Sequence, residues 1–354
     1  MKKTKNKIRI QNLITYGMVI AAWVIIEILI QTGHISSLLK GLLVPLCIYA
    51  ILAVSLNLTV GILGELSLGH AGFMCVGAFS GAFFTNVAAD AIPSTGVRLF
   101  IALLIGAVTA GIFGLLIGIP VLRLKGDYLA IVTLAFGEII KNLINTFYIG
   151  IDSSGLHFSI KDTMSLGMDE TGVVIIKGPQ GITGTPKAAT FTIGIILLLI
   201  TLVIVLNLIH SRTGRAIMSI RDNRIAAESI GINVTKYKLM AFSISAALAG
   251  VAGVLYAHNL SSLAATTNNF GYNKSIMILV FVVLGGLGSV RGSVIAAVVL
   301  TLLPELLRGL NDYRMLIYAI VLIVMMIFNS SPKAIAMRAV LRERFMSKKT
   351  KEAA

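Results

Sequence analysis

The 354-residue chain is 56% Ala, Val, Ile, Leu, Met, Phe, Trp, Tyr or Cys and only 13% charged, with a mean hydropathy of +0.92. An ordinary soluble domain carries about 25% charged residues, so this composition excludes a soluble globular domain, a disordered chain and a disulfide scaffold. What remains is an all-α, polytopic helical membrane protein, because the apolar stretches run near twenty residues without alternating and so do not suit a barrel.

In chain order, a basic N-terminus (residues 1–12) precedes apolar runs at 13–31, 41–60, 66–88, 98–122, 127–147, 190–210, 239–257, 275–290, 291–308 and 314–330. These predict about ten transmembrane helices filling a membrane domain over 13–330, followed by a basic tail, 331–354. The start resembles a signal peptide, but no small-residue cleavage site comes after it, and Glu27 and Gln31 lie where one would be approached; it reads as a retained first span. GGLGSVRG (Gly285 to Gly292) reads equally as a tight turn between the eighth and ninth spans or as a broken helix. Small residues recur every fourth position at Gly106, Ala110, Gly114 and Gly118, and again at Ser245, Ala249, Gly253 and Ala257. That spacing stacks them on one helix face, where backbones can approach closely in lipid.

The net charge of +15 is concentrated rather than spread. Residues 1–10 carry +5, residues 211–238 carry +4 and residues 331–354 carry +5. Clusters beside apolar spans mark cytoplasmic ends and contact with anionic lipid. With both termini cytoplasmic, the span count returns the chain inside at Arg123 and Lys125, and again at 211–238. The acid-rich segment 148–189 then falls outside. No basic groove with interleaved aromatics suggests nucleic acid.

No phosphate-binding loop, zinc-protease motif or nucleophile elbow occurs, and the five histidines pair with no cysteine or carboxylate at ligand spacing. The reading is therefore no catalytic residue, no metal and no cofactor bound by this chain; Cys47 and Cys75 read as small buried hydrophobes. Among membrane acids, Glu65, Asp127, Glu27 and Glu305 sit at predicted span ends, and Glu138 has Lys141 three residues on as a neutralising partner. No acid stands alone at mid-membrane, so an ion-coupled carrier is weakly supported.

The segment from Arg212 to Gly231 reads as a short amphipathic helix pair on the membrane surface. Gly231 can end a helix at positive φ. Bases alternate with Ile217, Ile220, Ile225 and Ile230, more apolar side chains than lipid contact requires. This loop (Ser211 to His258) closely resembles the coupling loop of branched-chain amino acid ABC transporter permeases of the LivM type. NLTVGILGELSLGHAGFMCVGAF (Asn57 to Phe79), RLKGDYLAIVTLAFGEIIKNLINT (Arg123 to Thr146), KGPQGITG (Lys177 to Gly184) and VLGGLGSVRGSVIAA (Val283 to Ala297) resemble further blocks of that family, in its order, over roughly residues 40–330.

The resemblance implies an importer of the bacterial plasma (inner) membrane. Its partners would be a second, LivH-type permease, two cytoplasmic ABC ATPase subunits that use ATP and Mg, and an extracytoplasmic amino-acid-binding protein. A urea or short-amide permease is the nearest alternative, although AAESIGINVTKYK resembles the amino-acid branch more. The implied coupling segment maps onto Ala226, Ala227, Glu228 and Gly231, with Arg215 and Arg221 before it. The residues after Gly231 depart from the general ABC-importer loop. A second candidate, Ser67, Gly69, His70 and Gly72 at the start of a span, admits two readings. It can aim helix N–H groups at a passing carboxylate on the translocation pathway, or it is a capped helix start with a satisfied histidine.

Overall fold

The computed structural model describes residues 2–33, 36–124, 126–169 and 172–330; the basic tail lies outside these, as do the side chains of the first eleven residues. The chain divides into two compact units, Met1–Val298 and Val299–Ala354.

In the first unit, α1 (Lys2–Gln31), α2 (Ser37–Asn57), α3 (His70–Val87), α4 (Thr95–Val121) and α5 (Asp127–Thr146) precede a strand-rich segment. That segment holds β1 (Tyr148–Asp152), β2 (Gly155–Ser159), β3 (Val173–Lys177) and β4 (Ile182–Thr183). Next come α6 (Phe191–His210), α7 (Arg212–Asp222), α8 (Arg224–Ser229), α9 (Val234–Ala257), β5 (Ser262–Leu263), α10 (Thr267–Phe270), α11 (Tyr272–Gly285) and the start of α12 (Val290–Leu306). The second unit continues α12 into a 3₁₀ segment, Leu307–Tyr313, and α13 (Arg314–Ser330). There Arg308 pairs with Glu305 at 3.0 Å.

Each apolar run carries a helix. Among the described residues seven helices are long and apolar enough to cross a bilayer: Asn12–Gln31, Ser37–Leu63, Thr95–Val121, Asp127–Thr146, Phe191–His210, Val234–Ala257 and Val290–Gly309. α3, α11 and α13, with 18, 14 and 17 residues, fall outside that set. The multi-pass helical class therefore stands on seven helices.

The packing is set by glycine. On α4, Phe100, Leu104, Val108 and Ile112 point outward, while Gly106, Gly114 and Gly118 face α9. A Cβ on Gly114 would lie 2.6 Å from the Ala246 Cβ, and one on Gly118 2.9 Å from Leu239. α9 in turn presses Gly253 against the backbone of Met74 and Ala78 on α3, and Gly250 against Ala110. Large residues outside and small ones inside is the arrangement lipid favours, since apolar burial drives no helix association there. α2 is enclosed along its whole apolar window, whereas α1 is peripheral.

The last turn of α2 widens into a π-helical segment, Leu58–Leu63, closed by Gly64 at φ +80°. Such segments insert one extra residue per turn and so re-aim the downstream chain. Asn57 there accepts a hydrogen bond from Gly288 N at 2.9 Å, and Gly61 is so close to Gly288 that a Cβ would meet its backbone. GGLGSVRG thus adopts the turn reading: α11 ends at Gly285, Gly286 and Gly288 take positive φ, and α12 starts at Val290.

The strands were not expected. They form one five-stranded antiparallel sheet, order β2-β1-β3-β4-β5, built from 148–183 with β5 supplied by 262–263. Segment 147–190 and the connection after α9 therefore share one end of the bundle. At the opposite end the π-helical segment, α7 and the 286–289 turn meet.

Candidate functional site

Two groups of side chains stand out in the sequence, and the structure sets both within one end of the helix bundle or just inside it. The first is the loop between α6 and α9. Ser211 caps α7 by accepting from Gly214 N at 3.0 Å, and Asn223 caps α8 by accepting from Ala226 N at 3.0 Å. Each cap satisfies a backbone donor that the first helical turn leaves unpaired. Beyond α8, Gly231 adopts φ +84° and Ile232 N returns to Ala227 O at 3.1 Å, which closes the helix with a left-handed cap.

The isoleucines split between two faces. Ile217 packs with Leu58, Leu63 and Ala241, and Ile220 with Ala227 and Val234, so both are internal. Ile225 and Ile230 are 80% and 75% exposed. Residues 226 and 227 likewise separate: Ala227 joins the loop's own small core, whereas Ala226 and Glu228 face outward. Arg224 holds Glu228 at 3.0 Å on that outer surface. Arg215 is exposed and touches His210 O at 3.2 Å; Arg221 instead reaches across to Gly61 O at 3.1 Å.

That last contact belongs to a set that sequence reasoning missed. Lys238 at the start of α9 forms an ion pair with Glu65, both side chains largely buried. Asn57, Gly61 and Glu65, four residues apart, are held by Gly288, Arg221 and Lys238 respectively. A motion of α7 is thereby tied to the end of α2 and to the first turn of α9. The four-residue spacing is the one signal the sequence offers for it, and an acid at a span end such as Glu65 draws no notice because it is inexpensive there.

The second group surrounds His70, which is 2% exposed. Its Nε2 lies 2.7 Å from Ser55 Oγ, and Ser245 Oγ donates to Ser55 O at 2.6 Å. The N–H groups near the start of α3 already have acceptors: Leu68 N donates to Thr133 Oγ1, Ala71 N to Ser275 Oγ and Gly72 N to Gly69 O, at 3.0, 3.0 and 2.9 Å. Gly69 and Gly72 let α5 approach, a Cβ on Gly72 falling 2.7 Å from Gly137 Cα. Ser67 Oγ is buried with no partner of its own. Glu138 is paired with Lys141 at 2.5 Å and also accepts from Tyr272 N at 2.7 Å. Among the described residues no group of three His, Cys, Asp or Glu is placed to hold a metal ion.

Comparison with known proteins returns a consistent picture. A family model described as branched-chain amino acid transport system / permease component matches residues 38–328. Curated relatives include the high-affinity branched-chain amino acid transport system permease protein LivM of Salmonella typhimurium, 35% identical over 290 residues, covering 79% of this chain and 66% of that protein. Its Escherichia coli counterpart is also 35% identical, over 291 residues, with the same coverage. The fructose import permease protein FruG of Bifidobacterium longum is 27% identical over 300 residues, 82% of this chain and 79% of that one. The chain thus spans just under two thirds of the length of the two LivM proteins. No solved structure matches.

Proposed function

Because the chain belongs to the family of branched-chain amino acid transport system permease components, a multi-pass protein of the plasma membrane, we propose that it is the membrane-spanning subunit of an ATP-driven importer of leucine, isoleucine and valine. In this reading about ten helices cross the bilayer, with both termini and the α7–α8 loop on the cytoplasmic side. The positive charge clusters support that sidedness. The strand-rich segment 148–189 then faces outward, where an amino-acid-binding protein delivers substrate. A second, LivH-type permease completes the pathway, and two ABC ATPases bind and hydrolyse ATP with Mg.

One observation carries this reading. The outer face of α8 leaves Ile225 and Ile230 uncovered beside the Arg224–Glu228 pair, while the inner side of the same loop is fastened to α2 and α9 through Arg221 and Lys238. Large apolar side chains rimmed by charge suit a protein partner. The fastening lets that partner's movement reach the spans. The substrate assignment rests on the higher identity to the two amino-acid permeases than to the fructose permease. For Ser67, Gly69, His70 and Gly72 the satisfied donors favour a packing role; a His70→Ala chain that folds normally yet loses uptake would return the turn to the pathway.

The test is mass spectrometry of the complex drawn from native membranes in mild detergent. A second permease and two ATPases are expected with this chain. Recovery as a homo-oligomer, under conditions that preserve other ABC complexes, would overturn the proposal.

A further inference from the structure

A lysine inside a bilayer is costly without a carboxylate to neutralise it, and one that lacks such a partner marks function by default. Lys274 is such a residue. It lies in the first turn of α11, and its Nζ donates to the Tyr49 hydroxyl at 2.9 Å and sits 5.0 Å from that ring's centroid. Tyr49 fixes the depth. It is one residue from the midpoint of the 27-residue helix Ser37–Leu63, about 20 Å from either end at 1.5 Å per residue. Glu138, near the middle of Asp127–Thr146, caps the same α11 start by accepting from Tyr272 N. The α10–α11 pair is therefore a broken helix. Its break at Gly271, where the backbone runs extended, opens the N-terminus of α11 at mid-depth.

The charges there are unequal. Glu138 is fully engaged by Lys141 and Tyr272 N, and Lys141 has Glu138 and Thr267. Lys274 has a phenol and no carboxylate: among the described residues no acid is within ion-pair distance of it. Ser275 beside it is already bonded to Ala71 N, and Tyr256 to Asn269. The other cations of the first unit's spans, Lys40, Arg98, Lys238 and Arg291, sit within the first five residues of α2, α4, α9 and α12, near helix ends where water or headgroups are close. Lys274 and Tyr49 are each half-buried rather than fully enclosed.

We propose that Lys274 and Tyr49 form a carboxylate subsite at mid-depth, where the ammonium and the phenol hydroxyl hold the α-carboxylate of the amino acid in transit. This rests on the transport reading above and adds to it a residue-level contact. The broken helix supplies the same logic, since a helix N-terminus at mid-membrane favours negative charge close by. Without substrate the Lys274 ammonium has no counter-charge; the carboxylate of the passing zwitterion supplies one and, on leaving, restores the cost, so the contact holds substrate without trapping it.

The test uses the complete complex (both permeases, both ATPases and the binding protein) in proteoliposomes, read by uptake of radiolabelled leucine and by binding-protein-stimulated ATP hydrolysis. Lys274→Met keeps chain length and removes charge; uptake should fall about tenfold or more, the loss of one charge-assisted contact, with stimulated ATP hydrolysis retained. Lys274→Arg should keep most of the uptake. Tyr49→Phe keeps the ring against Phe281, 6.0 Å away. It should fall by a smaller factor, and it decides the matter alone if Lys274→Met does not assemble. Parental uptake by Lys274→Met, or by Tyr49→Phe in that case, overturns the subsite. So does a Lys274→Arg as inactive as Lys274→Met, which would mean shape rather than charge. If the parental complex carries no leucine, the transport reading fails first and the subsite with it.

Discussion

The α3–α4–α9 seam and the α7–α8 end of the molecule are held together by opposite means. In the seam, glycines bring backbone onto backbone: Gly253 rests on Met74 and Ala78, Gly250 on Gly106 and Ala110. Charge enters only near one end, where Arg98 reaches the Thr85 carbonyl at 3.4 Å. At the loop end, long polar arms join the elements, Arg221 to Gly61 and Lys238 to Glu65. Close backbone packing leaves no slack and moves as one body. Long side-chain arms fix which parts move together while tolerating small shifts. A subunit that takes an impulse at one end and passes it to rigid spans needs both, and the division here falls where that transfer would occur.

The seam should be the more fragile to added bulk. Gly253→Leu places a side chain against the Met74 and Ala78 backbone, where no rotamer can yield. Overpacking that neighbours can absorb costs about 1–3 kcal/mol, and a backbone collision exceeds that. We expect no monodisperse protein by fluorescence-detected size exclusion. Gly41→Leu, on the open side of α2 with nothing within 4 Å of its Cβ position, should behave as the parent. Equal behaviour of the two variants would mean that the seam is not the close-packed element described.

The polar arms should show their weight when only one partner is removed. Glu65→Gln strands the Lys238 ammonium, whose side chain is 5% exposed. Breaking a buried pair in this way costs about 3–5 kcal/mol. Glu65→Gln combined with Lys238→Met should recover most of it, because no charge is then left uncompensated. Thermal unfolding of the four species in detergent measures the coupling directly; additive losses would deny that the pair acts as a unit.

The outer face of the loop should be nearly silent in stability. Ile225→Asp with Ile230→Asp alters two exposed side chains, so the chain's own melting should move by no more than about 0.5 kcal/mol. Co-purification of the ATPases should be lost all the same. If the ATPases still bind and uptake is normal, α8 is not the docking face. Arg215→Glu on the exposed side of α7 should weaken the same interaction less, since a rim charge contributes little.

How far the sequence carried these inferences differs between the regions for physical reasons. The four-residue recurrence of Gly106, Gly114 and Gly118 is a local pattern, and a helix converts it into one face without help from elsewhere. The α7–α8 pair was legible in the same way, from its amphipathic pattern and from Gly231 as a helix end, whereas the caps at Ser211 and Asn223 came from the structure. What periodicity cannot encode is depth. Placing the eighth span at 275–290 leaves Lys274 in an external loop, where a lysine is cheap. Only the break at Gly271, set by Glu138 on a distant helix, brings it to the middle of α2. The sheet escaped for a related reason. YIGID and VVIIK are five-residue runs between glycines and polar turns, too short to separate from a loop. The pairing of Ile182–Thr183 with residues 262–263 spans some eighty positions of chain. The inward and outward isoleucines were indistinguishable by type, and only tertiary packing sorts Ile217 from Ile225.

The smallest expected effect concerns the sheet itself and has a definite sign. Asp152 ends β1 and accepts hydrogen bonds from Ser154 Oγ at 2.6 Å, Ser154 N at 2.8 Å and Asp169 N at 3.2 Å, with His157 Nε2 2.9 Å away. The Ser154 hydroxyl first, then these backbone donors and His157, holds its carboxyl below the usual carboxylate range. A carboxylate depressed in the folded state adds stability above its ordinary value, about 3.9, and that stability is lost as pH falls through the lower folded value. The strand-rich segment should therefore stay protease-resistant from neutral pH down to about 4 and loosen only in stronger acid. Asp152→Asn keeps a carbonyl acceptor but not the charge. It should cleave faster than the parent at neutral pH and lose the acid dependence, while the seam and the α7–α8 end remain unaffected. A parent whose 148–183 segment loosens with rising pH instead would contradict the hydrogen-bond pattern around Asp152.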